Sequence, residues 1–159
     1  MVDETALKKA RTGLLRLLSY RQRSRREAQE YLQRKGFSDK VIAYLLKEME
    51  QWNYIDDRRY AIDYTENCLR RGLGPLRARR DLISRGISRN IVEEEVPRQY
   101  SPEIELSLAR TLLNKRTGPD DDWHDIRLVR RQAAYLHRRG FRESIVVKVI
   151  RERSNQVDH

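Results

Sequence analysis

RARRDLISRGISRNIV, residues 77–92, has two relatives in the same chain: EAQEYLQRKGFSDKVI at 27–42 and RQAAYLHRRGFRESIV at 131–146. Leu32, Leu82 and Leu136 stand four residues before Gly36, Gly86 and Gly140, and Phe37, Ile87 and Phe141 follow the glycines directly. Val41/Ile42, Ile91/Val92 and Ile145/Val146 close each copy. Recurrence at this spacing means one structural unit used three times. A glycine after a run of helix formers, preceded by Lys or Arg and followed by an apolar residue, takes the left-handed conformation that ends a helix. The cations favour the carbonyl end of the dipole, and the apolar residue packs back on the last turn. Ser38 and Ser88 stand where the next helix needs an N-cap. Arg142 replaces that serine in the third copy, which predicts a weaker cap there.

Working outward from these corners, Ala6, Ala10, Leu14, Leu17 and Leu18 recur at helical spacing and predict a first helix over 5–20. Ser24 with Glu27 makes a capping box for a second, which ends at Lys35. Asp56 or Asp57 caps a fourth, carrying Tyr60, Ala61, Tyr64 and Cys68; Gly72, Gly74 and Pro75 end it and start a fifth over 75–85. The sixth runs from Ser88 until Pro97 stops it. Ser101 and Pro102 open a seventh, and Asp120, Asp121 and Asp122 are expected to open a longer eighth at its positive dipole end. A ninth covers 142–153. The expected fold is all-α: three tandem three-helix repeats at 1–55, 56–99 and 100–154, forming an elongated, curved rod, with a frayed tail at 155–159.

The 159 residues include 34 Lys and Arg against 24 acids, a net charge of +10, with 38% hydrophobic and 36% charged residues. Repeats of about 50 residues are marginal alone, burying only ~60% of their unfolded surface, so stacking or a partner must supply the rest. The basic balance points to nucleic acid or an acidic protein surface. No run approaches the ~20 apolar residues of a membrane span, and the first ten residues are too polar for a secretory signal, which predicts a cytoplasmic protein. Cys68 is the only cysteine. It reads as a small helix residue in a reducing compartment.

Chemistry-bearing motifs are few. Asp56–Asp57 has no base, nucleophile or phosphate loop beside it and reads as a helix cap. Asp120–Asp122 next to His124 has no second His or Cys at ligand spacing, so no metal, cofactor or catalytic group is expected. Tyr60 and Tyr64 read as core; Trp52 and Trp123 stay open between packing and base stacking. The arginine clusters carry more, because they recur in the same place: Arg25 and Arg26 at the second helix, Arg70, Arg71, Arg77, Arg80 and Arg85 around the fifth, Arg130 and Arg131 on the eighth. On the fifth helix Arg77, Arg80 and Ser84 share a face, with Leu76, Ala78, Leu82 and Ile83 as the opposite apolar arc; Arg79 falls inside that arc. Three aligned clusters, mostly Arg, read as a binding surface. A DNA reader of the helix-turn-helix kind is the competing reading, but the helices after the turns carry Glu48, Glu50, Glu93, Glu94 and Glu95.

The middle unit, Tyr54 to Ser88, resembles the signature of the RecX family of bacterial recombination regulators. The resemblance lies in Asp56 and Asp57 before an aromatic–Ala step at Tyr60 and Ala61, with Tyr64 a turn on. It continues in the Gly72-x-Gly74-Pro75 break and in the Leu82, Arg85, Gly86, Ile87 corner. The segment at 23–26 departs from the family's tendency to Ser with acidic residues. With no heptad seam in the chain, a monomer is expected. The resemblance implies a non-enzymatic regulator lying in the groove of the RecA–DNA filament. There it would block filament extension and strand exchange and damp ATPase and co-protease activity, and so modulate the SOS response. RecA and its nucleoprotein filament are the implied partners, with DNA itself a further candidate.

Overall fold

The computed structural model of the protein describes residues 2–157. These form nine α-helices and no strand: α1 Glu4–Tyr20, α2 Arg25–Arg34, α3 Asp39–Gln51, α4 Asp57–Arg70, α5 Pro75–Ser84, α6 Arg89–Gln99, α7 Pro102–Arg116, α8 Ile126–Arg139 and α9 Glu143–Val157. The caps are those the sequence supplies. Ser24 closes a reciprocal capping box with Glu27, and Ser38, Ser88 and Ser101 accept from backbone N–H groups three residues on. Asp56 accepts from Arg59 N at 3.1 Å and opens α4. The glycine corners are left-handed, with φ of 84°, 90° and 95° at Gly36, Gly86 and Gly140.

The residues gather into two compact units: Met1–Ile62 with Leu82–Val92, and Asp63–Asp81 with Glu93–His159. In the first, α1, α2 and α3 bury Leu14, Leu32, Leu45, Leu46 and Met49 around one apolar centre. In the second, α7, α8 and α9 bury Leu113, Trp123, Leu136, Phe141 and Val149. Full burial of such a side chain stabilises by about 1.5–3 kcal/mol, which offsets the order imposed on these short helices.

One joint is used in both units, and it explains why each takes in part of the central repeat. In the first unit the Gly86 corner sits on the start of α2. Ser24, fully buried, donates through Oγ to the Arg85 carbonyl at 2.6 Å, and Arg26 Nη2 donates to the Ser84 carbonyl. In the second unit the Gly140 corner sits on the start of α5. Gly74 N donates to the Arg139 carbonyl at 2.7 Å and Leu76 N to the Gly140 carbonyl at 2.9 Å. Each corner thus hands free carbonyls of its helix end to donors at another helix's start: backbone N–H groups at the Gly140 corner, and the Ser24 and Arg26 side chains at the Gly86 corner. The third corner, at Gly36, has nothing within 4 Å of where its Cβ would be.

Several elements differ from expectation. The helix after the acidic run begins at Ile126 with Asp125 as N-cap; Asp121 accepts from Gly118 N at 2.8 Å and Asp122 from His124 N at 2.9 Å, so these carboxylates fold a loop instead. Pro97 does not stop α6, which runs to Gln99: proline forfeits one ladder bond, and Tyr100 N resumes it on the Val96 carbonyl at 3.1 Å. Residues 155–157, expected to fray, continue α9; 158 and 159 lie outside the described residues. On α5 only Ala78 and Leu82 of the expected arc are buried, while Leu76 is 43% and Ile83 39% exposed. Arg142 is not weakly held either. Its N–H and guanidinium both bond the fully buried Glu105 of α7, at 2.9 and 2.7 Å, which anchors the corner without supplying the acceptor that a serine would give the third residue on.

Candidate partner interface

The three arginine clusters divide according to what already holds them. Around α2, Arg25 donates through its backbone to Asp57 and through Nε to Glu50, both at 2.8 Å. Arg26 lies across the Gly86 corner with Glu30 3.5 Å from its Nε. Arg21 pairs with Glu27 at 2.9 Å. Burial, with Arg21 alongside, pushes the Arg23 guanidinium below its ordinary value, and its Nε is buried without a partner among the described residues. These cations are spent on the joint.

Around α5 the situation is mixed. Arg77 Nε reaches Asp81 at 3.2 Å, and Asp81 also accepts from Tyr64 Oη. Arg85 donates to Tyr60 Oη at 2.8 Å. Arg79, awkward by periodicity, is paired with Glu93 of α6. Arg80 is mostly exposed, its guanidinium 3.9 Å from Asp81. Arg70 and Arg71 are exposed at the end of α4, where the Arg71 carbonyl accepts from Arg139 Nη2 at 2.7 Å. The motif residues Tyr60, Ala61, Leu82 and Ile87 are buried. Asp57 is pushed up by its burial, against the Arg25 N–H that favours its ionised form.

On α8 the arginines other than Arg139 are free or nearly so. Arg130, Arg131 and Arg138 are exposed and make no ion pair or hydrogen bond among the described residues, and Arg127 has only Asp125, at 3.7 Å. The helix IRLVRRQAAYLHRR contains no acidic residue. Sequence reasoning named Arg130 and Arg131 but gave them no priority; the absence of any Asp or Glu in this one helix was the available signal.

The aromatic residues also separate. Trp123 is 3% exposed and packs in the core of the second unit, with Arg153 5.1 Å from its ring, whereas Trp52 is 61% exposed. Trp52 and Tyr54 flank Asn53, which is left-handed at φ 62°, so both rings are displayed at the α3 terminus by a fixed turn. Glu48 and Glu50 on α3 are held by Arg11 and Arg25 at 2.8 Å, and Glu95 on α6 is buried. Helices presenting carboxylates after the turn are poorly suited to the major groove. Burial and the nearby Asp81 push the Cys68 thiol up, which keeps it protonated and unreactive. Among the described residues no group of His, Cys, Asp and Glu is arranged to hold a metal, and no helix is long and apolar enough to cross a membrane.

Comparison with known proteins meets the same segments. Family models match residues 10–49 as the RecX first three-helix domain and 56–95 as the RecX second three-helix domain. A regulatory protein RecX of Halorhodospira halophila is 31% identical over 132 residues, spanning 82% of this chain and 80% of that one. One from Legionella pneumophila strain Corby is 27% identical, spanning 91% and 94%. Against one from Geobacillus kaustophilus, 28% identical, the chain spans 54% of the relative's length. The crystal structure of RecX from Lactobacillus salivarius has the same fold, with a TM-score of 0.78 at 23% identity over 97% of both chains. Repeated three-helix domains turning on glycine corners, matched in sequence at both of the first two, place this chain in the RecX family of regulatory proteins.

Proposed function

We propose that this chain is a non-enzymatic negative regulator of the RecA recombinase. It binds as a monomer to the RecA–DNA filament in the cytoplasm, and its occupancy blocks filament extension and strand exchange and lowers ATPase and co-protease activity. The modules are the repeats 1–55, 56–99 and 100–154. The observation that carries the reading is the match of residues 56–95 to the RecX second three-helix domain, whose Gly72-x-Gly74-Pro75 break stands at the centre of a load-sharing joint. Candidate contacts are the exposed Arg70, Arg71, Arg80, Arg130 and Arg131 in the second unit and, separately, the displayed Trp52 and Tyr54 in the first. Arg and Trp are the residue types that anchor protein interfaces. Arg25, Arg26, Arg77 and Arg85, already bonded within their own units, would act by holding the helices in place.

The test is single-strand-dependent ATP hydrolysis by RecA with this protein at substoichiometric and equal ratios. Inhibition below equimolar ratio is expected, since a blocked filament end silences many subunits. A rate indifferent to an excess of the protein ends the reading.

A further inference from the structure

We infer that α8 binds the phosphodiester backbone of nucleic acid directly, through Arg127, Arg130, Arg131 and Arg138, with no recombinase present. The inference takes from the preceding reading only that this surface binds something.

Its basis is the contrast between clusters that looked equivalent in sequence. At α2, Arg21, Arg25 and Arg26 are held by Glu27, Glu50 and a corner carbonyl, with Arg34 exposed, and at α5 Arg77, Arg79 and Arg85 are held by Asp81, Glu93 and Tyr60. On α8, three of the four are unpaired among the described residues and the fourth is weakly held. At about 100° per residue, Arg127, Arg131, Ala134 and Arg138 fall in one narrow arc with Arg130 at its edge. Leu128, Gln132 and Leu136 are buried on the other side. At 1.5 Å per residue, Arg127 and Arg131 are roughly 6 Å apart along the axis and Arg131 and Arg138 roughly 10 Å, so one run of successive phosphates can meet all of them. Ala134, the small residue among them, lets a polyanion approach the helix.

The choice of nucleic acid over an acidic protein surface follows from what this face lacks. Protein interfaces draw most of their affinity from aromatic or apolar anchors desolvated at their centre. The α8 arc offers arginines around one alanine, with Ile126 beyond its end. Cations without an anchor gain little from a folded protein, but each phosphate neutralised on a nucleic acid releases condensed counterions. Arginine's planar fork suits phosphate oxygens, and contacts made to phosphates alone position a nucleic acid without reading its sequence.

The experiment is fluorescence anisotropy of the full chain, without recombinase, against labelled 30-nucleotide single-stranded and duplex probes across a salt series. It compares wild type with R131E/R138E and with R16E/K47E, which makes the same charge change on α1 and α3; circular dichroism checks each fold. Wild type should bind both probes, with log K falling against log salt at a slope near −3.6 on duplex if all four arginines engage, and shallower on single strands. R131E/R138E should bind at least ~10-fold more weakly and lose about half of that slope, while R16E/K47E stays within about threefold of wild type. The milder R131Q/R138Q should lose affinity in the same order. Equal weakening by the two reversals would mean diffuse attraction to net charge and overturn the assignment. So would absence of binding to both probes, or displacement by polyglutamate at matched charge concentration, which would make the face a protein site. Because RecA is absent, each outcome is separate from the ATP hydrolysis result.

Discussion

Gly140 stands against Arg77 with no space for a side chain: a Cβ on Gly140 would lie 2.5 Å from the Arg77 Cβ and 2.6 Å from its backbone nitrogen. Gly36 has the same left-handed backbone, yet nothing lies within 4 Å of its Cβ position. The two glycines therefore separate conformational strain from crowding. Gly36→Ala should cost about 1 kcal/mol, the left-handed penalty alone. Gly140→Ala should cost that plus roughly 1–3 kcal/mol for forcing the joint apart. Urea unfolding of both variants decides it, and equal costs would remove close approach as the reason for Gly140.

Ser24 accepts from Glu27 N at 3.1 Å and donates to the Arg85 carbonyl at 2.6 Å while fully buried. Ser24→Ala loses a cap, about 1 kcal/mol, and leaves the part-buried Arg85 carbonyl without this donor, about 1 kcal/mol or more besides. Ser38→Ala, at an exposed cap, should lose only the first part. Chemical denaturation of the pair should show at least a twofold difference in cost.

Glu105 is completely buried and carries two bonds from Arg142. Removing one partner strands the other, so Glu105→Leu and Arg142→Leu should each destabilise, the latter by roughly 3–5 kcal/mol because it leaves the buried carboxylate without its guanidinium, the former by less because the Arg142 side chain is 43% exposed. The double variant should cost clearly less than the sum. An additive double-mutant cycle in thermal or denaturant unfolding would show that the pair is not coupled.

Tyr100 is 4% exposed and donates to the Leu73 carbonyl. Burial, then the nearby Cys68 and Glu105, pushes its phenol well above the ordinary tyrosine range. The unfolded phenol ionises near pH ~10, so this contribution is whole below that pH and is lost as pH rises above it. Tyr100→Phe should cost roughly 1–2 kcal/mol at neutral pH and flatten the decline in stability above about pH 10. A Tyr100→Phe profile parallel to wild type above that pH would contradict this.

Glu27 has the opposite sign. Burial opposes its ionised form, but the Ser24 N–H and the Arg21 guanidinium outweigh this and hold its carboxyl below the usual value. Its contribution is present above the unfolded value of about 4.5 and is lost as pH falls. Glu27→Gln should flatten the acid limb of a melting-temperature profile below about pH 5. An unchanged limb would place the acid sensitivity elsewhere.

The corners were legible in the chain because every part of them is local: leucine, cation, glycine and apolar residue lie within one turn, and capping serines lie two residues on. The buried face of α5 was not. Periodicity weighs Leu76 and Ile83 above Ala78, but it is small Ala78 that is buried, at 0% exposure, with Leu76 and Ile83 left at 43% and 39%. Arg79 looked misplaced because its partner, Glu93, belongs to another helix. The acidic run at 120–122 resembled a helix opening because loop-forming and dipole-facing carboxylates have the same sequence signature; only the bonds to Gly118 N and His124 N tell them apart. Arginine clusters are hardest to read, since acceptors such as the Ser84 and Arg71 carbonyls belong to the main chain and leave no trace in residue identity.

That anonymity has an evolutionary side. A seat assembled from peptide groups recognises the path of the chain and is blind to most of its letters. Substitutions can therefore accumulate over the outer surface while the geometry persists, which is how a relative sharing 23% of its residues keeps a TM-score of 0.78. Drift should be least tolerated at Gly74, Gly86 and Gly140, where any added carbon collides with the neighbouring turn.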